Sequence, residues 1–317
     1  MSFQPLFAHR CVPGDLLPGQ FGVGSVLGVE PVIHLIEKHL EDKDSVVLSE
    51  DLVNAFNTMP REEVYRELLA MRSPLVRFFL LTYGRATRLV VPCEGGEIAL
   101  QFSAEGVRQG DPAASLFFSY GMKRPMASLS RRLKTENKAA QLVAYLDNLY
   151  VLITVSTIAT TRASLAAVFN PSYSTLVLHP GESELWTHDL YRYNHGAEVL
   201  GTAIGSLPFR EKFIAAKVSH WADHIALLRP LSLQERQLLF RFCVVPKLGH
   251  LPRTLRSDEP PMMAIWERAD SYALAVLCCF ARTWPCRAQE ARCFTDVLWW
   301  FWHPTIPNYC VNHLHLG

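Results

Sequence analysis

An α+β fold is predicted: a βαββαβ-like antiparallel sheet with helices on one face, followed by a helical portion. Three observations carry it. Short β-rich runs alternate with helix-period segments as far as about residue 206, glycine and proline punctuate them where tight turns are needed, and beyond Pro208 the apolar spacing is helical.

Taken in order, Pro31 with Val32, Ile33, Ile36 and Leu40 gives helical spacing with proline in the first turn. Ser45–Ser49 reads as a strand that delivers Asp51 at its C-terminal end. Pro60 with Val64, Leu68 and Leu69 opens another helix, which Pro74 interrupts. Thr87–Val91 and Glu97–Phe102 flank Glu94-Gly-Gly96 and predict a hairpin with a glycine turn. Residues 113–133 predict a long packed helix despite Gly121 and Pro125. Gln141–Leu146 and Leu149–Ile153 are strands around the tight turn Asp147-Asn148. A helix over 159–169 follows, then strands at Ser174–Leu178 and Val199–Gly205. The expected organisation is an N-terminal segment (1–44), a sheet region (45–206), a helical region (207–257) and a C-terminal extension (258–317).

Composition narrows the class. With 317 residues, 49% hydrophobic, 19% charged and a net charge of +1, the chain is globular, neither disordered nor collagenous. Near-neutral net charge leaves room for a nucleic-acid ligand, because phosphate contacts depend on local Lys and Arg placement. The helical region carries Arg229, Arg236, Arg241, Lys247, Arg253 and Arg256, with Phe240, Phe242 and His250 between them. This is either a duplex-gripping stripe or an ordinary solvated face. Eight scattered cysteines point to a reducing compartment, and the N-terminus has no signal-peptide build. No run reaches about 18 apolar residues, so a cytoplasmic or nuclear protein without membrane association is expected. The C-terminal Cys286, Cys293, Cys310 and His313 match no standard zinc spacing.

The chemistry-bearing residues come in a fixed order. Asp51-Leu-Val-Asn-Ala-Phe56 precedes Glu105-Gly-Val-Arg-Gln-Gly-Asp-Pro112, which precedes Ala144-Tyr-Leu-Asp-Asn148; Gln20-Phe-Gly-Val-Gly24, Leu178–Trp186 and Leu200–Gly205 flank them. Alone, Asp51 also reads as a helix N-cap, Asp147 as a turn former, Phe56 as core and Gly110 as part of a loop that Asp111 caps. Together, over about residues 18 to 256, they resemble the reverse transcriptase of non-LTR (LINE-type) retrotransposons.

That resemblance implies a polymerase palm over 45–206, a helical thumb over 207–257 and a fingers segment truncated to 1–44. It implies RNA-directed DNA polymerase activity, in which Asp51 and Asp147 hold two magnesium ions, with manganese as a substitute. It makes Asn148 the occupant of the turn's usual second acid. Phe56 becomes the ring beneath the incoming dNTP sugar, and Gln109 and Gly110 the support for nucleotide and templating base. Gly201 and Gly205 become the primer-grip hairpin, and Arg236, Arg241, Lys247 and Arg253 contacts to an RNA template and DNA primer. Three positions depart from the family: Asn148 loses a negative charge, Glu50 precedes the first acid where an apolar residue is usual, and Glu182 stands where lysine is common. A catalytically silent fragment that at most binds nucleic acid is therefore the competing expectation.

Overall fold

A computed structural model describes residues 19–25, 28–93, 98–172, 183–186, 194–255 and 259–278. The chain forms two compact units that divide between Thr187 and His188. The mixed helical and antiparallel-sheet content is the α+β class expected.

In the first unit, β1 (Ser45–Glu50) is central because Val46, Val47 and Leu48 suit a strand buried on both faces. It pairs antiparallel with β5 (Asn148–Thr154), from Ser45 opposite Thr154 to Glu50 opposite Leu149. β4 (Gln141–Tyr145) lies on the far side of β5, and β6 (Ser183–Trp186) lies on the far side of β1. The order is thus β4-β5-β1-β6, antiparallel throughout. On one face Val46, Leu48, Ala144, Leu149, Val151 and Ile153 enter a single core, to which its three longest helices contribute most. These are α3 (Arg61–Ala70), α5 (Ala114–Glu136) and α6 (Ile158–Ser172). Their contributions include Val64, Leu68, Phe117, Phe118, Met126, Leu129, Leu165 and Phe169. Each such buried side chain adds about 1.5–3 kcal/mol relative to exposure. Gly121 is required within α5, since a Cβ there would lie 2.2 Å from Met59 Sδ.

Two smaller elements fasten this sheet. Helix α1 (Val29–His39) buries Val32, Ile33 and Ile36, packs against β1 and β4, and sets His39 Nε2 3.0 Å from Ile153 O. Upstream, Gly19–Phe21 pair beside β4 through Ala144. The described part of 1–44 is therefore tied to the sheet.

The short helix α2 (Ala55–Thr58) follows β1, and α4 (Val76–Tyr83) follows Pro74, where the sequence pattern showed only an interruption. Phe79 and Tyr83, one helical turn apart, are its buried face. The expected hairpin is β2 (Thr87–Pro92) with β3 (Ile98–Ser103), whose tip lies outside the described residues.

The first described elements of the second unit are a hairpin, β7 (Gly196–Val199) and β8 (Thr202–Gly205), where the residue pattern alone read a single strand and the resemblance implied a hairpin. Helix α7 (Leu207–Leu227) follows, with proline in its first turn. After it come α8 (Leu233–Leu239), a π-type turn over Phe240–Val244, α9 (Val245–Leu248), α10 (Leu251–Thr254) and α11 (Pro260–Cys278). Ile214, Val218, Trp221 and Ile225 form the α7 stripe, on which Phe240, Val244, Leu251, Met262, Trp266 and the hairpin's Ala203 converge. Trp221 Nε1 donates to Val244 O at 2.8 Å, satisfying its one polar atom. The 196–205 hairpin thus shares the helical core and not the sheet's, while α11 packs on α7. Glu182, Arg256, the expected strand at 174–178 and the cysteines, histidines and tryptophans beyond residue 278 lie outside the described residues. Among the described residues, no helix is long and apolar enough to cross a membrane.

Candidate active site

Asp51 is exposed immediately after β1 and accepts Leu52 N–H at 2.9 Å. Asp147 occupies the two-residue turn between β4 and β5, where Tyr145 faces Asn148 across the ladder. The sheet brings the two acids together. Burial pushes the Asp147 carboxyl above its usual range; its own backbone N–H opposes the shift, and the charge on Asp51 adds to it. Tyr150, opposite Ser49 in the β1–β5 ladder, feels both acids after burial, and its phenol stays protonated. Asp51, Asp147 and Tyr150 therefore share one electrostatic environment. Asn148 begins β5 beside Asp147. Glu50, by strand alternation, falls on the opposite face with Leu48 and Leu149 and is buried, so its carboxylate does not join the pair.

The Gln109 loop is fastened to the segment after Asp51. Val107 N–H donates to Phe56 O at 2.7 Å and Gly106 N–H to Met59 O at 3.2 Å. Gly106 has φ +71°, and a Cβ there would sit 2.2 Å from Asn57 O, so only glycine permits this approach. Arg61 grips the loop's entry, giving Nε–H to Gly106 O at 2.8 Å and Nη2–H to Ser103 Oγ at 3.0 Å and Glu105 O at 3.1 Å. Tyr83 grips its exit by donating to Asp111 Oδ2 at 2.5 Å and accepting Arg108 N–H at 3.2 Å. The Arg61 and Arg108 guanidinium carbons lie 5.3 and 4.8 Å from the Tyr83 ring centroid. Burial first, then the hydrogen bond to Asp111, pushes the Tyr83 phenol up to about 12. Asp111 Oδ1 also accepts Ala113 N–H at 2.9 Å, a bond within the turn ahead of α5, whose N-cap is Ala113 with no side-chain cap, so the expected capping of the helix by Asp111 is not found. Between the grips, Gln109 and Gly110 are exposed, and nothing lies within 4 Å of where a Gly110 Cβ would be. Phe56 is half-buried and stacks on Phe118 at 4.6 Å and 12°.

In the second unit, Gly201 sits at the tip of the hairpin with φ +77°, and its carbonyl lies 3.3 Å from His250 Nε2. Burial, opposed by that contact and aided by Arg253 and Lys217, lowers the His250 pKa, which favours the neutral ring. Gly205 ends β8 at φ +134°. The basic stripe is not one solvent face. Arg236 is buried and its Nη2 donates to the carbonyls of Arg229 at 2.5 Å and Leu231 at 2.9 Å, so an arginine expected on nucleic acid serves the α7–α8 connection. Arg241, 5.6 Å from the exposed Phe242 ring, and Lys247 remain at the surface, and Arg253 is half-buried.

Sequence reasoning left Gln20, Arg61, Tyr83 and Tyr150 without a role. Only Gln20 stood within a quoted motif, and the others had no local signal.

Two carboxylates beside a neutral amide oxygen suit a hard divalent cation whose remaining ligands are water and phosphate oxygens. No cluster of three or more His, Cys, Asp or Glu residues able to hold a metal is found among the described residues.

The sheet order, with an acid at the end of a central strand and another in the adjoining turn, is the α+β arrangement expected of a polymerase palm. Residues 18–171 match the family model described as "Reverse transcriptase (RNA-dependent DNA polymerase)". No curated protein matches the chain. Among solved structures it resembles apo telomerase from Candida tropicalis, at 10% identity and TM-score 0.48, covering 80% of this chain and 47% of that one. It also resembles telomerase from Candida albicans in complex with a fragment of telomeric RNA, at 9% identity and TM-score 0.44, covering 88% and 53%. The chain spans about half the length of these telomerase chains.

Proposed function

We propose that the chain is an RNA-directed DNA polymerase domain of the non-LTR, LINE type, adding dNTPs to a DNA primer paired with an RNA template. One observation carries this reading: Asp51 and Asp147 come close enough for one charge to raise the other's pKa, and the Gln109 loop is hydrogen-bonded through Gly106 and Val107 to Met59 and Phe56, a few residues after Asp51. Magnesium, or manganese in its place, would supply Lewis acidity to the attacking 3′-hydroxyl and neutralise the triphosphate. Asp51 and Asp147 would hold it, and Asn148 would offer a neutral oxygen. Phe56, fixed against Phe118, would present its ring to the sugar and disfavour a 2′-hydroxyl. Gln109 and the open backbone at Gly110 would lie under the nucleotide and templating base. In the second unit Gly201 and Gly205 would contact primer, with Arg241, Lys247 and Arg253 on phosphates.

The neutral Asn148 favours a second reading, a silent fragment that at most binds nucleic acid. Primer extension on poly(rA)/oligo(dT) with magnesium or manganese separates the two. Signal lost in Asp51→Ala and Asp147→Ala supports the polymerase. Silence in both wild type and Asn148→Asp, with duplex still bound in a salt-dependent manner, supports the fragment.

A further inference from the structure

We propose that Gln20 is a positioning residue for Asp147, acting through both backbone polar groups of Leu146. The inference rests on the polymerase reading for its consequence and on the hydrogen bonds alone for its existence. Gln20 is buried at 7% exposure, 126 residues from its partner in sequence. Its Oε1 accepts Leu146 N–H at 3.0 Å and Gly22 N–H at 2.9 Å, and its Nε2 donates to Leu146 O at 3.4 Å. The neighbouring backbone fixes the residue that bears this amide, since Ala144 N–H donates to Gly19 O at 2.7 Å and Phe21 N–H to Ala144 O at 2.8 Å.

The turn needs such a tether. Leu146 adopts φ +56°, a left-handed conformation that a branched side chain disfavours and that persists only where surroundings impose it. An uncapped Leu146-Asp147 turn would sample other conformations and move the Asp147 carboxylate with them. Gln20 meets both Leu146 groups with one neutral side chain carrying an acceptor and a donor. A glutamate would keep the acceptor, lose the donor and bring a third negative charge beside Asp51 and Asp147. Gly22 leaves no slack: a Cβ there would stand 2.6 Å from Leu146 Cγ and 2.7 Å from Leu146 N.

The test uses the full chain and two substitutions. Gln20→Met keeps the volume and removes every hydrogen bond from the amide; native-state hydrogen exchange should then quicken about tenfold or more at both Leu146 and Asp147. Mn2+ binding, followed by the EPR signal of the free ion, should weaken roughly tenfold, as when an outer partner of a metal ligand is lost. In primer extension kcat should fall while the KM for dNTP holds. Gln20→Glu retains the acceptor and should keep Leu146 slow to exchange, which also decides the matter if the methionine variant does not fold. Wild-type exchange at Asp147 in Gln20→Met, unchanged Mn2+ affinity, or fast Leu146 exchange in a folded Gln20→Glu overturns the inference. A wild type that neither extends primer nor binds Mn2+ defeats the polymerase reading instead, and exchange at Leu146 and Asp147 still judges Gln20.

Discussion

Two hairpins in this molecule reverse direction in two residues, and they solve the same backbone problem differently. Between β7 and β8 the turn is Leu200-Gly201, with φ +48° and +77°; the glycine takes the larger angle without a Cβ penalty, and a contact from further along the chain reaches its carbonyl, from His250 Nε2 at 3.3 Å. Between β4 and β5 the turn is Leu146-Asp147, with φ +56° at Leu146 and no glycine. There the left-handed residue is tied to Gln20 from another part of the chain. The contrast shows what a functional side chain does to a turn: an acid placed where glycine or asparagine is common shifts the burden of stability onto a distant tether.

The largest effect that could break this comparison is loss of the acids themselves. Asp147→Asn keeps a turn-compatible side chain and nearly the same shape, yet should remove Mn2+ binding and lower primer extension by more than roughly a hundredfold, beyond the range of outer-partner substitutions. Asp51→Asn should do the same. A Leu200→Asn change in the other turn should leave both measurements at wild-type level. Equal losses in all three would mean that the two hairpins differ in nothing functional.

A second pair of substitutions separates conformation from space. Gly201→Ala has room, its nearest neighbour being His250 Nε2 at 3.6 Å, but must hold φ +77°. It should destabilise the chain by about 1–2 kcal/mol without changing Mn2+ affinity. Gly22→Ala has no positive φ, but its Cβ would meet Leu146 Cγ at 2.6 Å and the Leu146 backbone nitrogen at 2.7 Å. It should displace the turn and weaken Mn2+ binding. Thermal denaturation paired with Mn2+ titration distinguishes the two, and an unaltered Mn2+ affinity in Gly22→Ala would remove the idea that this turn is held from outside.

The strands were legible because β-branched runs such as Val46-Val47 and Val151 through Ile153 leave little else to form, and the pairing of Asp51 with Asp147 follows once those strands are neighbours. The α4 helix was hidden because Pro74 draws attention to the break before it, while its buried residues are only Phe79 and Tyr83 with Leu75 at its start. Residue pattern alone read the β7–β8 hairpin as one strand, because the meaning of Gly201 depends on φ, and only the resemblance to a family implied a hairpin there. The Arg236 guanidinium could not be distinguished from its exposed neighbours by spacing, since carbonyls at Arg229 and Leu231 determine where it goes. Gln20 is the extreme case: its partner is 126 residues away, and no local pattern announces a contact of that separation.

The smallest expected effect concerns pH, and its sign distinguishes a site built for a cation from one built for stability. Asp147 has its pKa raised above the usual 3.8, first by burial and then by Asp51. The folded chain therefore binds more protons than the unfolded chain between that usual value and the raised one, and stability falls as pH climbs through this window. At neutral pH, without divalent ions, Asp147 is a charged group held in surroundings that disfavour its charge. Asp147→Asn should consequently raise the melting temperature at pH 7 and flatten the pH dependence in this window, while abolishing the stabilisation that Mn2+ gives the wild type by binding the folded state. The turn with Gly201 carries no such acid, so Leu200→Asn should leave the pH dependence unchanged. A lower melting temperature for Asp147→Asn at pH 7, with Mn2+ still stabilising it, would show that the Asp147 carboxylate supports the fold and does not serve a cation.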